Sequence, residues 1–158
     1  MSEPRIGLGF DVHPAEGERV LMLAGARFDG EAGLAGHSDG DVACHAMADA
    51  MLGAAGLGDI GDHFSEDDPG VAGIAGLDLL ARAVTLVADA GWRASSCDLT
   101  VLAERPALAP RREEMRRNLS GTLGVSVESV SVKATRPEGL GLHGDGAGCI
   151  AIAVLVPR

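Results

Sequence analysis

Arg5-Ile6-Gly7-Leu8-Gly9-Phe10-Asp11-Val12-His13 is the stretch from which the rest of this chain can be read. Its apolar residues recur at 6, 8, 10 and 12, the period of two of a β-strand with one face on a core. This period is expected to bury Ile6, Leu8, Phe10 and Val12 and to turn Asp11 and His13 together to the other face. A carboxylate and an imidazole so placed are two ligands for a borderline cation. Further on, His37-Ser38-Asp39-Gly40-Asp41-Val42-Ala43-Cys44-His45 leads into a helix, and His45 can supply the third. Three protein ligands leave one position open for a substrate oxygen, as in catalytic rather than structural zinc. An isolated Asp-x-His more often ends a strand at the surface, here before Pro14. The second motif shifts that balance.

Outward from this strand, further strand-like runs lie at 19–24, 97–103, 127–135 and 148–156. The last, Cys149-Ile150-Ala151-Ile152-Ala153-Val154-Leu155-Val156, is apolar throughout, which implies burial on both faces in a central strand or at a subunit contact. Helical patterns cover 41–56, 76–90 and 109–123. The first follows Asp and Ser residues that can cap it, and the second carries Leu77, Leu80, Ala81, Val84, Val87 and Ala88 at helical spacing. In the third, Arg111, Arg112, Glu113, Glu114, Arg116 and Arg117 read as a solvated face. The expected fold is α+β: a single mixed β-sheet with helices packed on one face, one domain over 1–158. Glycine-rich segments at 53–61 and 139–148 are expected to be loops near the site, and 70–76 a mobile connection. Asp41, His45 and Asp49 share a helical face, where Asp49 either orients the His45 imidazole or is an exposed carboxylate.

A formal net charge of -10 over 158 residues excludes a nucleic-acid or anionic-lipid surface and points to a small-molecule partner. A chain this negative needs local cations to bind any anionic small molecule, which makes a metal site electrostatically sensible. Cys44, Cys97 and Cys149 are odd in number and scattered, against a disulfide framework or a cysteine zinc site and consistent with a reducing cytoplasm. No signal-like or membrane-length apolar segment is visible. With 3% aromatic residues and no Tyr, the core relies on small aliphatic side chains, and burial between subunits would help it. The Gly139–Gly148 segment lacks the Gly-Lys-Ser/Thr ending of a P-loop.

Gly9-Phe10-Asp11-Val12-His13, Ala35-Gly36-His37-Ser38-Asp39-Gly40-Asp41-Val42-Ala43-Cys44-His45-Ala46, Gly56-Leu57-Gly58-Asp59-Ile60-Gly61 and Val132-Lys133-Ala134-Thr135, in this order, resemble the 2-C-methyl-D-erythritol 2,4-cyclodiphosphate synthase family. The likeness runs from about residue 5 to the C-terminus. It implies a cytoplasmic homotrimer with sheets facing the three-fold axis and sites between neighbouring subunits. It also implies cyclisation of 4-diphosphocytidyl-2-C-methyl-D-erythritol 2-phosphate with release of CMP. On this resemblance Asp11, His13 and His45 hold one Zn²⁺ per subunit and Glu138 holds Mg²⁺ or Mn²⁺ with the substrate. His37 and Arg136 occupy catalytic positions. His37 and Ser38 form a mobile loop at the phosphates, and Asp59, Ile60 and Gly61 hold the erythritol hydroxyls. Phe64, Glu66 and Thr135 also fall at substrate positions. Ala103, Pro106, Ala107, Leu108 and Ala109 belong to the cytosine pocket.

The chain departs from the family pattern at several of these places. The threonine thought to steady the transition state is Arg136, and the lysine of the cytidine loop is Ala107. The usual Phe-Pro-Asp is Phe64-Ser65-Glu66. Near the three-fold axis, Gly141-Leu142-His143-Gly144-Asp145-Gly146-Ala147-Gly148 replaces an arginine with an acid and loses a glutamate and an aromatic residue. A zinc-binding trimeric paralogue without catalysis is therefore the competing reading. A generic zinc phosphohydrolase lacks an evident general base.

Overall fold

In a computed structural model, which describes residues 3–141 and 145–158, the chain forms one five-stranded mixed sheet. Strand β1 (Arg5–Leu23) hairpins into β2 (Ala26–Leu34). Helix α1 (Val42–Ala55), a short α2 (Ile60–His63) and α3 (Gly76–Asp89) follow. Then come β3 (Trp92–Leu102), α4 (Arg112–Leu123), β4 (Val130–Thr135) and β5 (Gly146–Pro157). The strand order is β2-β1-β5-β3-β4, with β3 and β4 parallel and the other pairs antiparallel. The mixed sheet and three principal helices are as expected. The runs at 5–13 and 19–24 are a single strand, while β2 and α2 were missed.

The strand face is a correction. Alternation along β1 is real, but the chain buries Gly7 and Gly9 and leaves Ile6 at 72%, Leu8 at 67%, Phe10 at 50% and Val12 at 43% exposure. The cause is α1, which lies on the glycine face. A Cβ at Gly7 would fall 1.9 Å from the Ala50 carbonyl oxygen, and one at Gly9 1.8 Å from that of Ala46. Only glycine permits this approach, and it sets the helix beside Asp11 and His13. The final strand is likewise buried on one face only. Cys149, Ala151, Ala153 and Leu155 face the core, while Ile150 and Ile152 lie open beside Phe10 and Leu8.

Helix α1 is buried on nearly all sides, with the sheet beneath it and α3 above. Met47, Met51 and Leu52 fill the space together with Leu80 and Val87 of α3, and Met115 and Leu119 of α4 extend the core. The charged helix is not simply a solvated face. Arg116 donates to the carbonyls of Val130 at 2.8 Å and Val127 at 2.7 Å, fastening α4 to the start of β4. The 70–76 segment is not a free connection either. Gly73 N–H donates to the His37 carbonyl, Asp39 N–H to Ile74, and Gly76 N–H to the Asp39 carboxylate. Leu142, where the family's aromatic residue is missing, lies outside the described residues.

Candidate metal centre

Asp11 and His13 project from β1 beyond the N-terminal end of α1, whose first turn supplies His45. The helix starts there because Asp41 is its N-cap. The buried Asp41 carboxylate accepts from Cys44 N–H at 3.1 Å and from the Ala24 and Gly25 amides of the β1–β2 turn, each at 2.8 Å. Three N–H donors satisfy an ion that burial would otherwise make costly. The same bonds lock the hairpin to the helix that carries His45.

Asp11 Oδ2 lies 2.7 Å from His13 Nε2 and 3.1 Å from His45 Nδ1, and the two nitrogens are 3.3 Å apart. Donors at about 2.0–2.1 Å from a tetrahedral zinc would be about 3.3 Å from one another, so two of the three separations fit such an ion and the third is tighter. Among the described residues this is the one group of three side chains whose donor atoms could hold a metal. Burial would raise the Asp11 pKa, but hydrogen bonds and the charges of His13 and His45 outweigh it and hold the carboxyl at about 2. His13 moves up from its usual value, chiefly through its bond to Asp11.

The imidazoles are also held from behind. His13 has a backbone hydrogen bond with Ala35, and Ser38 Oγ lies 2.9 Å from His45 Nε2. Ser38, expected at the phosphates, therefore stands behind a candidate ligand. Asp49 does not orient His45. Its carboxylate accepts from Ile60 N–H at 2.8 Å, fixing the start of α2, and burial raises its pKa. Asp59 caps α2 in a reciprocal pair with Asp62 and remains exposed, with Ile60 half-buried and Gly61 open to solvent. His37 Nε2 meets Glu66 at 3.2 Å on the surface, and Phe64 is half-buried nearby in sequence.

The remaining candidates lie across the sheet. Asp11 pairs with Cys149, Cys149 with Val101, and Val101 with Ala134, so three strand spacings, about 14 Å in all, separate β1 from β4. Thr135 ends β4, and Arg136 and Glu138 follow it, all exposed, with Glu138 at φ 56°. Ala103 and Leu108 are buried, Pro106 is half-buried, and Ala107 and Ala109 are exposed in the loop after β3. Ala103 N–H donates to the Thr135 carbonyl, and Glu104 accepts from Gly139 N–H at 3.2 Å, so these two loops form one unit. A single chain thus keeps these candidates in two separate groups, one at β1 and α1 and one beyond β3 and β4.

Sequence reasoning recognised Asp41 only as part of a capping run and missed its tie to the hairpin. It also missed Asp39, whose carboxylate joins Gly76 N–H and Asp41 N–H. The Asp-Gly-Asp spacing signals turn and cap chemistry, but not the distant amides that these carboxylates reach.

The sequence pattern of the YgbB family matches residues 4–157. The chain belongs to this family. It is 50% identical over 155 residues to the 2-C-methyl-D-erythritol 2,4-cyclodiphosphate synthase of Symbiobacterium thermophilum, covering 97% of this chain and 99% of that protein. It is also 50% identical over 152 residues to the bifunctional enzyme IspD/IspF of Anaeromyxobacter dehalogenans, covering 95% of this chain but 39% of that one. The chain therefore spans less than half the length of its bifunctional relatives. A solved 2C-methyl-D-erythritol-2,4-cyclodiphosphate synthase superposes with a TM-score of 0.90 at 35% identity, covering 96% of this chain and all of that one. A CDP-bound form gives 0.89 at 34% identity and 96% coverage of this chain.

Proposed function

We propose that this family member is an enzyme that closes 4-diphosphocytidyl-2-C-methyl-D-erythritol 2-phosphate into 2-C-methyl-D-erythritol 2,4-cyclodiphosphate, releasing CMP. The observation that carries this reading is the convergence of Asp11 Oδ2, His13 Nε2 and His45 Nδ1 on one point. An oxygen of the 2-phosphate bonds to the β-phosphorus, and the bond from that phosphorus to the oxygen of CMP breaks with its electron pair. The protein needs no nucleophile of its own. It must hold two anionic groups together and offset charge on the departing oxygen.

Asp11, His13 and His45 would hold zinc, and Glu138 a magnesium or manganese ion, which together would neutralise charge on the diphosphate. Ser38 and the Ala35 backbone keep the imidazoles turned toward the centre. The exposed Asp59 carboxylate can accept from the erythritol hydroxyls. Backbone groups of the loop from Ala103 to Ala109 would read the cytosine edge, with Thr135 beside them. Arg136 can offer positive charge and His37 a ring N–H to the phosphates, with Glu66 as the resting partner of His37.

The two separate groups favour assembly. The outer face of β1 and β5 carries Ile6, Leu8, Phe10, Val12, Ile150 and Ile152, whereas its continuation on β3 and β4 carries Asp98, Thr100, Ser131 and Lys133. An apolar patch of this kind on one half of a sheet marks a protein contact. A homotrimer packed on this face would bring the metal centre of one copy toward the Glu138 loop of the next. No described helix is long and apolar enough to cross a membrane. The three buried free cysteines suit the reducing cytoplasm in which we place the protein.

His45→Ala tests the reading. The variant is expected to lose zinc by elemental analysis and almost all CMP release. Full zinc occupancy would mean that the ligand set is wrong. A zinc-loaded wild type that releases no CMP would favour the non-catalytic paralogue.

A further inference from the structure

The pairing of β1 with β2 breaks register between Glu16 and Val20 and again between Val20 and Leu21. Such irregularities re-aim side chains, and they gather near active sites. Here the break takes Gly17, Glu18 and Arg19 out of the ladder. β2 closes on this bulge because residue 33 is glycine: a Cβ there would lie 2.6 Å from the Arg19 backbone. The half-buried Arg19 side chain then reaches across to the 36–38 loop. Its Nη1 donates to the Gly36 carbonyl at 2.6 Å and its Nη2 donates to the Ser38 carbonyl. Glu16 stands at 3.4 Å as its counter-ion.

The two carbonyls flank His37, and the loop they belong to touches both histidines of the centre. Ala35 bonds the His13 imidazole, and Ser38 Oγ meets His45 Nε2. We propose that Arg19 is a positioning residue for the metal centre, its forked guanidinium strapping the 35–38 loop so that both imidazoles are oriented at once. A planar group with two divergent donors is required, because an ammonium on a flexible stem cannot bridge two fixed carbonyls in the same way. The inference rests on the metal reading proposed above, but not on the reaction.

The test compares wild type with Arg19→Met, Arg19→Lys, Ser38→Ala and the Arg19→Met/Ser38→Ala double variant. Zinc affinity is measured by competition with a chromogenic chelator, and amide hydrogen exchange is measured without metal. Removing a residue that holds ligands from behind typically costs about tenfold to a hundredfold in metal affinity, and Arg19→Met should fall in that range. Its amides at 35–39 should exchange faster while those of 46–55 keep their protection. Arg19→Lys should remain clearly weaker than wild type, and it carries the test if the methionine variant fails to fold. Because Arg19 and Ser38 act through one loop, the double variant should lose less than the product of the two single losses. Wild-type zinc affinity and exchange in Arg19→Met, or losses that simply multiply, would overturn the proposal. Zinc binding without cyclic product would refute the reaction but leave the Arg19 result standing. If the wild type binds no zinc, the metal reading and this proposal fail together.

Discussion

The convergence of Asp11 and His13 was legible because a strand's period of two is geometric, and that of His45 because an Asp-rich cap predicts where its helix begins. Ser38, Asp49 and Arg19 were not, since their partners are backbone groups and side chains brought close only by tertiary folding. The Asp11–His13 pair has a pH consequence. His13 rises from its usual 6.5 mainly through Asp11, so in metal-free protein its charged form adds stability that is full below pH 6.5 and is lost as pH rises through the raised value. Asp11 behaves oppositely: its contribution is full above its usual 3.8 and disappears as pH falls through about 2. Zinc takes the neutral imidazole, so at pH 6 its binding should release about one proton from His13, declining toward none above the raised value. Calorimetry in buffers of different ionisation heat measures this, and equal release at pH 6 and pH 9 would contradict it. Arg136 makes a second test. An exposed guanidinium where the family places a threonine can offset both that hydroxyl and the ammonium absent at Ala107. Charge-assisted phosphate contacts contribute roughly 1.5–3 kcal/mol, so Arg136→Ala should lower kcat/KM about tenfold to a hundredfold. An unchanged value would mean that Arg136 points elsewhere.

Among the elements, β1 teaches the most. Its alternation marks a strand, but the apolar side is the outer one and the glycines Gly7 and Gly9 face the chain's own core. Gly7 and Gly9 instead mark where a helix backbone comes closest, a signal that hydropathy does not contain. The merger of two expected strands into Arg5–Leu23 has a similar origin, since the polar stretch at Glu16–Arg19 is a bulge within a continuous strand rather than a loop. Gly9→Ala tests the contact. Its methyl group would sit 1.8 Å from the Ala46 carbonyl oxygen, next to His45. Forcing α1 outward should cost about 1–3 kcal/mol and also weaken zinc binding. Urea unfolding and chelator competition measure the two effects. Wild-type stability would show that α1 has room to yield.

For the whole molecule, the expected α+β sheet with helices on one face was readable from the alternation of elements. The distance within one chain between the candidate ligands and Glu138 was not, because sequence order alone does not reveal that two strands, β5 and β3, lie between β1 and β4. On the proposed site assignment, the apolar outer face of β1 and β5 and the distance from the candidate ligands to Glu138 make assembly part of the proposal. Light scattering should give a trimer mass at micromolar concentration, and a monomer would remove the shared site. Phosphorus NMR of the purified protein with the cytidyl substrate and Mg²⁺ reads the reaction itself. The two phosphorus signals of a cyclic diphosphate should grow in step with CMP. Release of inorganic phosphate, or unchanged substrate in the presence of zinc-loaded trimer, would contradict the cyclisation.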